Sequence, residues 1–284
     1  MVMALPSRTR RWMSGGVLVI AALLMCPVAD AQPAPSRRAG APHVNVELIA
    51  DRDHARAGTQ WLGLRFAVEP GWHIYWQNPG DSGGPPEVRW QLPSGMKTSP
   101  IEWPVPRRID VGGLVNYGYQ NAVVLPVRLA VAAGVPTSPA VLRATLRWIV
   151  CRDMCVPGAA SVALTWPLDD RDSGAVASWS QAIARARALV PQPAPPAWKA
   201  SAVAGKDAFT LDLVTGQREE AIVFFPLEVN QVDDSAPQAL TSLAGGVRLG
   251  LRKSAQLVKD PSALRGVVSF PDGRAFEITA PVSR

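Results

Sequence analysis

The fold is decided by residues 147–157, RWIVCRDMCVP, which lie between two stretches of alternating apolar and polar residues. In 141–151 the even-numbered positions are apolar and the odd-numbered positions from 143 onward are mainly polar, and 161–166 repeats the pattern. Alternation with a period of two predicts β-strands with one buried face. We therefore expect Cys151 and Cys155 at a turn on the rim of a sheet, with Cys151 on the solvated face.

A cysteine pair this close in sequence is either a structural staple or a working dithiol. Closing a loop of about five residues stabilises a fold by roughly 2 kcal/mol, against about 4.7 kcal/mol for a loop of about 100 residues. A short bridge is therefore a poor staple, and an accessible one exchanges readily with a partner thiol. Spacing alone leaves both interpretations open.

Composition narrows the class of protein. The chain of 284 residues has room for one large domain or two small ones, and its 27 Pro and 23 Gly suit short strands joined by turns. The formal net charge of +6 is spread along the chain without a run of Lys and Arg, which argues against a nucleic-acid partner.

The N-terminus has the pattern of an export signal. Three arginines precede a short apolar stretch at 17–25, and Ala29-Asp30-Ala31 fits a small-x-small cleavage site. No later stretch is apolar enough to span a bilayer. We expect cleavage near Ala31 and a periplasmic product, not an integral membrane protein, in a compartment where a disulfide can form.

The remaining chain divides by its patterns. We predict an all-β protein: an immunoglobulin-like β-sandwich, one connecting helix and a second, smaller β domain. The predicted boundaries are a signal peptide at 1–31, a flexible leader at 32–42, the sandwich with the cysteine pair at 43–169, a helix and Pro-rich linker at 170–197, and the second β domain at 198–284. Within the sandwich, 101–105 is predicted as a strand and 110–119 as a Gly-containing loop.

Three motifs carry a family resemblance. WIVCRDMCVP at 148–157 resembles the active-site segment of the N-terminal periplasmic domain of the thiol:disulfide interchange protein DsbD, and more closely that of the related ScsB-type proteins. GWHIYW at 71–76, followed by NPGD, is similar to the same group, as is YGY at 117–119 before LPV. The resemblance covers about 44–167.

The resemblance implies an immunoglobulin-like fold in which Cys151 and Cys155 cycle between dithiol and disulfide. Such a domain accepts electrons from a membrane-embedded donor of DsbD/ScsB type and passes them to periplasmic thioredoxin-like proteins. Because the sequence has no Trp-Cys-x-x-Cys motif and no run of spanning helices, we expect the donor to be a separate polypeptide.

The resemblance also implies a cap loop over the cysteines, with 110–119 as its counterpart. The aromatic Phe of the DsbD loop is missing, so Leu114, Val115, Tyr117 and Tyr119 are the candidate gate residues. From their positions beside Cys151, Arg147 and Arg152 could favour its thiolate, with Asp153 opposing them. With no histidine nearby in sequence, proton transfer would fall to water or the partner.

Two other classes of function stay open. One is a secreted β-sandwich binding or adaptor module whose cysteines only brace a hairpin. The other is copper handling by Cys151, Cys155 and Met154, since soft sulfur ligands suit Cu(I). We expect no resident metal, because a zinc site needs about four ligands and His and Cys are scarce, and no cofactor, because the sequence has no dinucleotide fingerprint. With three histidines and none beside a candidate Ser nucleophile, we do not expect a hydrolase triad. His73 is predicted to be a hydrogen-bonded core residue, and Trp72, Tyr75 and Trp76 to be packing residues.

Overall fold

The first part of the chain folds into two antiparallel sheets. A computed structural model describes residues 36–134, 139–167 and 177–284, and residues 35–284 form one compact unit. The strands of this first part are β1 (Arg38–Ala41), β2 (Val44–Ala50), β3 (Gly58–Val68), β4 (His73–Gly80), β5 (Glu87–Gln91), β6 (Met96–Thr98), β7 (Arg107–Val111), β8 (Leu114–Gln120), β9 (Ala122–Val131), β10 (Ala140–Cys151) and β11 (Cys155–Trp166).

The two sheets enclose a single core, as an immunoglobulin-like sandwich requires. One sheet has the order β1-β2-β3-β9-β6, and the other the order β11-β10-β4-β8-β7, with β5 also paired to β10. Alternation along β10 buries Leu142, Leu146 and Trp148 at 0–3% exposure. The Trp148 ring meets Phe66 of the facing sheet edge-to-face, with ring centroids 5.7 Å apart. The predicted fold class is confirmed, because the inward-facing side chains of the long strands in both sheets form one shared core.

Helix α1 (Ser180–Ala188) follows the sandwich and packs against β9 and β3. Ile183 and Ala186 are its buried residues. The guanidinium of Arg187 lies 3.8 Å from the centroid of the Trp61 ring on β3, which fixes the helix to the sandwich surface. The predicted signal peptide and the first residues of the predicted helical segment, 170–176, lie outside the described residues.

The second β domain is one continuous sheet that folds around its own core. Its strands are β12 (Gln192–Pro193), β13 (Lys199–Ala204), β14 (Ala208–Val214), β15 (Val223–Pro226), β16 (Ala239–Leu243), β17 (Gly246–Arg252), β18 (Ala263–Ser269) and β19 (Ala275–Ser283). Their order is β15-β18-β19-β13-β14-β17-β16, with β12 paired to β19. Phe209, Leu211 and Leu249 lie in the core at 0–1% exposure.

Aromatic and polar contacts join the two parts. Phe225 of β15 packs edge-to-face on Trp76 and Tyr117, with centroid distances of 6.1 and 5.3 Å. The Asn78 side chain, buried at 1% exposure, donates from Nδ2 to the carbonyl of Pro226 at 2.8 Å. The Oδ1 of Asn78 accepts from the Gly80 N–H at 3.0 Å. The same side chain therefore ends β4 and anchors β15.

Three local predictions were wrong. Residues 101–105 form no strand, and 38–41, predicted to belong to a flexible leader, form β1 by pairing with β2. Residues 110–119 are not a loop: β7 and β8 form a hairpin that turns at Gly112 and Gly113, both with positive φ. Two adjacent glycines looked like a loop in sequence, but they form a tight hairpin turn because glycine adopts positive φ without steric cost.

A buried carboxyl lies at the junction of the two parts. Tyr117 Oη donates to Asp234 Oδ1 at 2.8 Å, and Arg108 donates to the backbone carbonyl of Asp234 at 2.7 Å. Burial raises the pKa of Asp234 to about 6; Asp81 and Asp233 add to the rise, while the Tyr117 hydrogen bond and Arg108 oppose it. The same burial raises the pKa of the Tyr117 phenol, so it stays a donor.

We expect this carboxyl to make stability fall as pH rises. Because the pKa of Asp234 is higher in the folded chain than in the unfolded one, its stabilising contribution is complete below about pH 4 and is lost as pH passes about 6. Relative to Asp234→Asn, which stays neutral, the wild type should lose roughly 2 kcal/mol of unfolding free energy between these limits. Urea unfolding of both proteins at several pH values measures this loss, and parallel pH profiles would contradict it.

Candidate functional site: the Cys151–Cys155 hairpin

Cys151 and Cys155 close the hairpin between β10 and β11 with a disulfide, their Cα atoms 4.2 Å apart. The register of the hairpin pairs Cys151 with Cys155 and continues unbroken to Ala140 and Trp166. The two cysteines differ in exposure: Cys155 is exposed, whereas Cys151 is 3% exposed. An exposed cysteine at a hairpin end is open to approach by a second thiol.

The prediction that Cys151 lies on a solvated face was wrong, although its register was right. Val150 points into the core, so Cys151 points to the outer face of the sheet. On that face Cys151 is cross-strand from His73 of β4, and both are buried. The outer face is therefore covered beside the disulfide and exposed farther along the strand.

Tyr75 forms the polar contact to the sulfur of Cys155. Its Oη lies 3.6 Å from Cys155 Sγ, and because a disulfide sulfur carries no hydrogen, the phenol is the donor. Tyr75 is completely buried, and burial raises its pKa. The phenol therefore keeps its proton near neutral pH and can donate to a thiolate that forms on Cys155.

His73 is held neutral below the disulfide. Asn116 Oδ1 accepts from the Ser82 N–H at 3.2 Å, which orients the amide so that its Nδ2 donates to His73 Nε2 at 3.2 Å. Nε2 must then be the unprotonated nitrogen. Burial lowers the pKa of His73, which agrees with this tautomer. His73 is buried and hydrogen-bonded, as predicted, but it lies on the outer face of the sheet and not in the core.

A short segment, residues 81–84, covers the Tyr75 ring. Asp81 Oδ2 accepts from the Val115 N–H at 2.7 Å, and Ser82 is held by Asn116. Gly83 has φ +86°, and a Cβ on it would lie only 2.0 Å from Tyr75 Cζ. Glycine at this position therefore lets the backbone lie directly on the ring and hold the phenol against Cys155.

The candidate gate residues do not meet the sulfurs. Val115, Tyr117 and Tyr119 are buried in the sandwich core, on the opposite side of the sheet from Cys151. Tyr119 Oη donates to the Pro104 carbonyl at 2.6 Å, while Leu114, 48% exposed, flanks the glycine turn. Tyr75, whose ring lies under residues 81–84, contacts Cys155 Sγ instead. A gating role for residues 110–119 stays a prediction.

The charged residues flanking the cysteines lie in different places. Arg147 is four residues before Cys151 on the same face, about 13 Å away along the strand. There it lines an open groove of about 520 Å³ together with Gly84, Ile149 and Pro157. Arg152 Nε donates to Asp153 Oδ2 at 2.8 Å, and its guanidinium lies 5.2 Å from the centroid of the Trp72 ring. The structure does not bring Arg147 to the sulfurs.

Met154 is 67% exposed beside Cys155. Within 36–134, 139–167 and 177–284, no three His, Cys, Asp or Glu side chains are grouped as ligands for a metal ion. In the same part of the chain, no helix has the length and hydropathy needed to cross a membrane.

Comparison with known protein families identifies the domain that contains the cysteine hairpin. Residues 45–167 match the family described as "Thiol:disulfide interchange protein DsbD, N-terminal". This segment is a DsbD N-terminal-like domain. The resemblance noted in the cysteine motif and in GWHIYW is thereby confirmed.

Solved structures extend the comparison to the rest of the chain. The N-terminal periplasmic domain of ScsB from Proteus mirabilis is similar, with a TM-score of 0.67 and 22% identity, over 88% of this chain and 99% of that one. At this identity the likeness establishes a shared fold, including the second β domain. The periplasmic chaperone SfaE aligns over 83% of this chain and 100% of its own, but with a TM-score of 0.24 and 8% identity it supports no argument. A comparison with curated proteins found no match.

The sequence interpretation missed Tyr75, Asn116 and the covering role of residues 81–84. One signal was present: in GWHIYW, Trp72, Ile74 and Trp76 alternate with His73 and Tyr75. If the three apolar residues face the core, as they do, His73 and Tyr75 must share the outer face. Their meeting with Cys155 depends on strand pairing, which alternation does not specify.

Proposed function

We propose that the chain performs thiol–disulfide interchange in the periplasm through Cys151 and Cys155. A membrane-embedded donor of DsbD/ScsB type would reduce the pair, and the reduced pair would reduce periplasmic thioredoxin-like proteins. The observation that carries the proposal is a disulfide between one exposed and one buried cysteine at the end of a hairpin, within a DsbD N-terminal-like domain.

The chemistry is a two-electron exchange. A donor thiolate attacks Cys155 Sγ, the Cys151–Cys155 bond breaks, and the sulfur of Cys151 leaves as a thiolate that takes a proton. The second donor thiolate then attacks the mixed disulfide and releases Cys155, so the donor becomes a disulfide and the pair a dithiol. Transfer to the acceptor repeats these steps in reverse. Tyr75 supports the exchange because its phenol lies 3.6 Å from Cys155 Sγ.

A redox titration tests the proposal. Equilibration with glutathione or dithiothreitol buffers should give a midpoint potential above about −300 mV, since exchanging pairs occupy about −120 to −270 mV. Alkylation followed by mass spectrometry counts the thiols, and Cys151→Ala and Cys155→Ala set the end points. A pair that stays oxidised below about −300 mV would be a structural disulfide, which would favour the adaptor hypothesis instead.

A further inference from the structure

The loop between the two cysteines contacts the turn before β4 through the side chain of Arg152. Arg152, the first loop residue, extends its guanidinium to within 5.2 Å of the Trp72 ring centroid. Its aliphatic part crosses Gly71, where a Cβ would lie 3.3 Å from Arg152 Cδ. Asp153 Oδ2 accepts from Arg152 Nε at 2.8 Å and holds the guanidinium from the loop side.

Trp72 is a fixed anchor for this contact. The ring of His43 lies parallel to its indole, with centroids 3.7 Å apart and an interplanar angle of 10°. His43 Nδ1 is hydrogen-bonded to Glu69 Oε2 at 2.7 Å, and the Trp72 N–H donates to the Glu69 carbonyl at 3.1 Å. Trp72 is 6% exposed and belongs to the sandwich core, so its indole cannot follow the cysteine loop if the loop moves.

We propose that Arg152 is a positioning residue, which clasps the 152–154 loop to Trp72 and keeps the two sulfurs close when the disulfide is open. The inference rests on the proposed function. On reduction by a partner dithiol, two electrons and two protons enter, the S–S bond becomes two thiols and the partner becomes a disulfide. The loop then loses its covalent closure, and noncovalent contacts decide how much of its conformational freedom returns.

The clasp acts on the equilibrium for closing the disulfide. A restrained loop presents each thiol to the other at a higher effective concentration, which favours the oxidised pair. A cation–aromatic contact of this kind is worth a factor of about 3 to 30 in an equilibrium. Loss of the clasp should therefore lower the equilibrium constant for closure about tenfold, which makes the potential about 30 mV more positive.

A charge effect of Arg152 on the thiolates predicts a different result. Under that interpretation Trp72→Leu would leave the potential unchanged, because the guanidinium charge remains. Under the clasp interpretation Trp72→Leu shifts the potential as far as Arg152→Gln does. The double variant shifts it no further, because both changes remove one contact.

The experiment measures the potential of the full chain against glutathione for the wild type, Arg152→Gln, Trp72→Leu and the double variant. Arg143→Gln, which removes the same charge from an exposed position farther along β10, is the matched control and should keep the wild-type potential. Trp72→Phe keeps an aromatic ring and should bring the potential most of the way back to the wild-type value, which separates the clasp from a packing loss. Thermal unfolding of each oxidised variant verifies the fold.

Equal potentials for Arg152→Gln and Arg143→Gln would overturn the clasp, and so would additive shifts in the double variant. Either result leaves the proposed function standing if the wild-type pair still exchanges. A wild-type pair that cannot be reduced above about −300 mV would instead overturn the proposed function.

Discussion

Cys151→Ala is expected to form mixed disulfides with a thioredoxin-like partner about a hundredfold faster than Cys155→Ala, because exchange depends on access to the sulfur. Cys155 is exposed at the hairpin end, whereas Cys151 is 3% exposed and lies cross-strand from the buried His73. In Cys151→Ala the remaining thiolate is also the one within reach of the Tyr75 phenol. We therefore expect the partner to attack Cys155.

The measurement uses the two single-cysteine variants and a thioredoxin-like protein whose active-site thiol carries a thionitrobenzoate leaving group. Release of the chromophore gives the rate of mixed-disulfide formation. In denaturant the two variants should react at similar rates, which shows that the folded structure causes the difference. Equal rates in the folded proteins, or faster reaction through Cys151, would contradict the assignment.

Much of the fold could be predicted because its signals are local. Alternation along 141–151 and 161–166 identified both strands of the cysteine hairpin, β10 and β11. In each case one buried face repeats every second residue, so the pattern is complete within a few residues. The cysteine pair at the hairpin end followed from the same periodicity.

The rest of the site could not be predicted because it depends on pairs distant in sequence. Tyr75 and Cys155 are separated by 80 residues, and Asn116 orients His73 from β8. The burial of Cys151 follows from β4 lying beside β10, not from any property of the cysteine segment. Tyr117 was a candidate gate residue, but its position in β8 directs it into the core, where it meets Asp234.

The second β domain is expected to stabilise the sandwich through the packing of Phe225. Adjacent residues of β15 serve different cores: Phe224 lies in the core of the second domain, whereas Phe225 lies in the core of the sandwich with Trp76 and Tyr117. Consecutive residues of a strand point to opposite faces, so a single strand can contribute to both. We propose that the chain divides into two units near the predicted boundary at 198, and that β15 contributes side chains to the cores of both units.

Phe225→Ala should lower the free energy of unfolding by about 3–5 kcal/mol, the usual cost of removing a buried Phe side chain. Phe209→Ala is the matched control, since Phe209 is equally buried but packs only in the core of the second domain. Hydrogen exchange resolved by mass spectrometry separates the two effects. Phe225→Ala should speed exchange in β8 and β10 as well as in β15, while Phe209→Ala should act mainly on β14 and β17. Unchanged exchange in β8 and β10 of Phe225→Ala would mean that the sandwich core closes without the second domain.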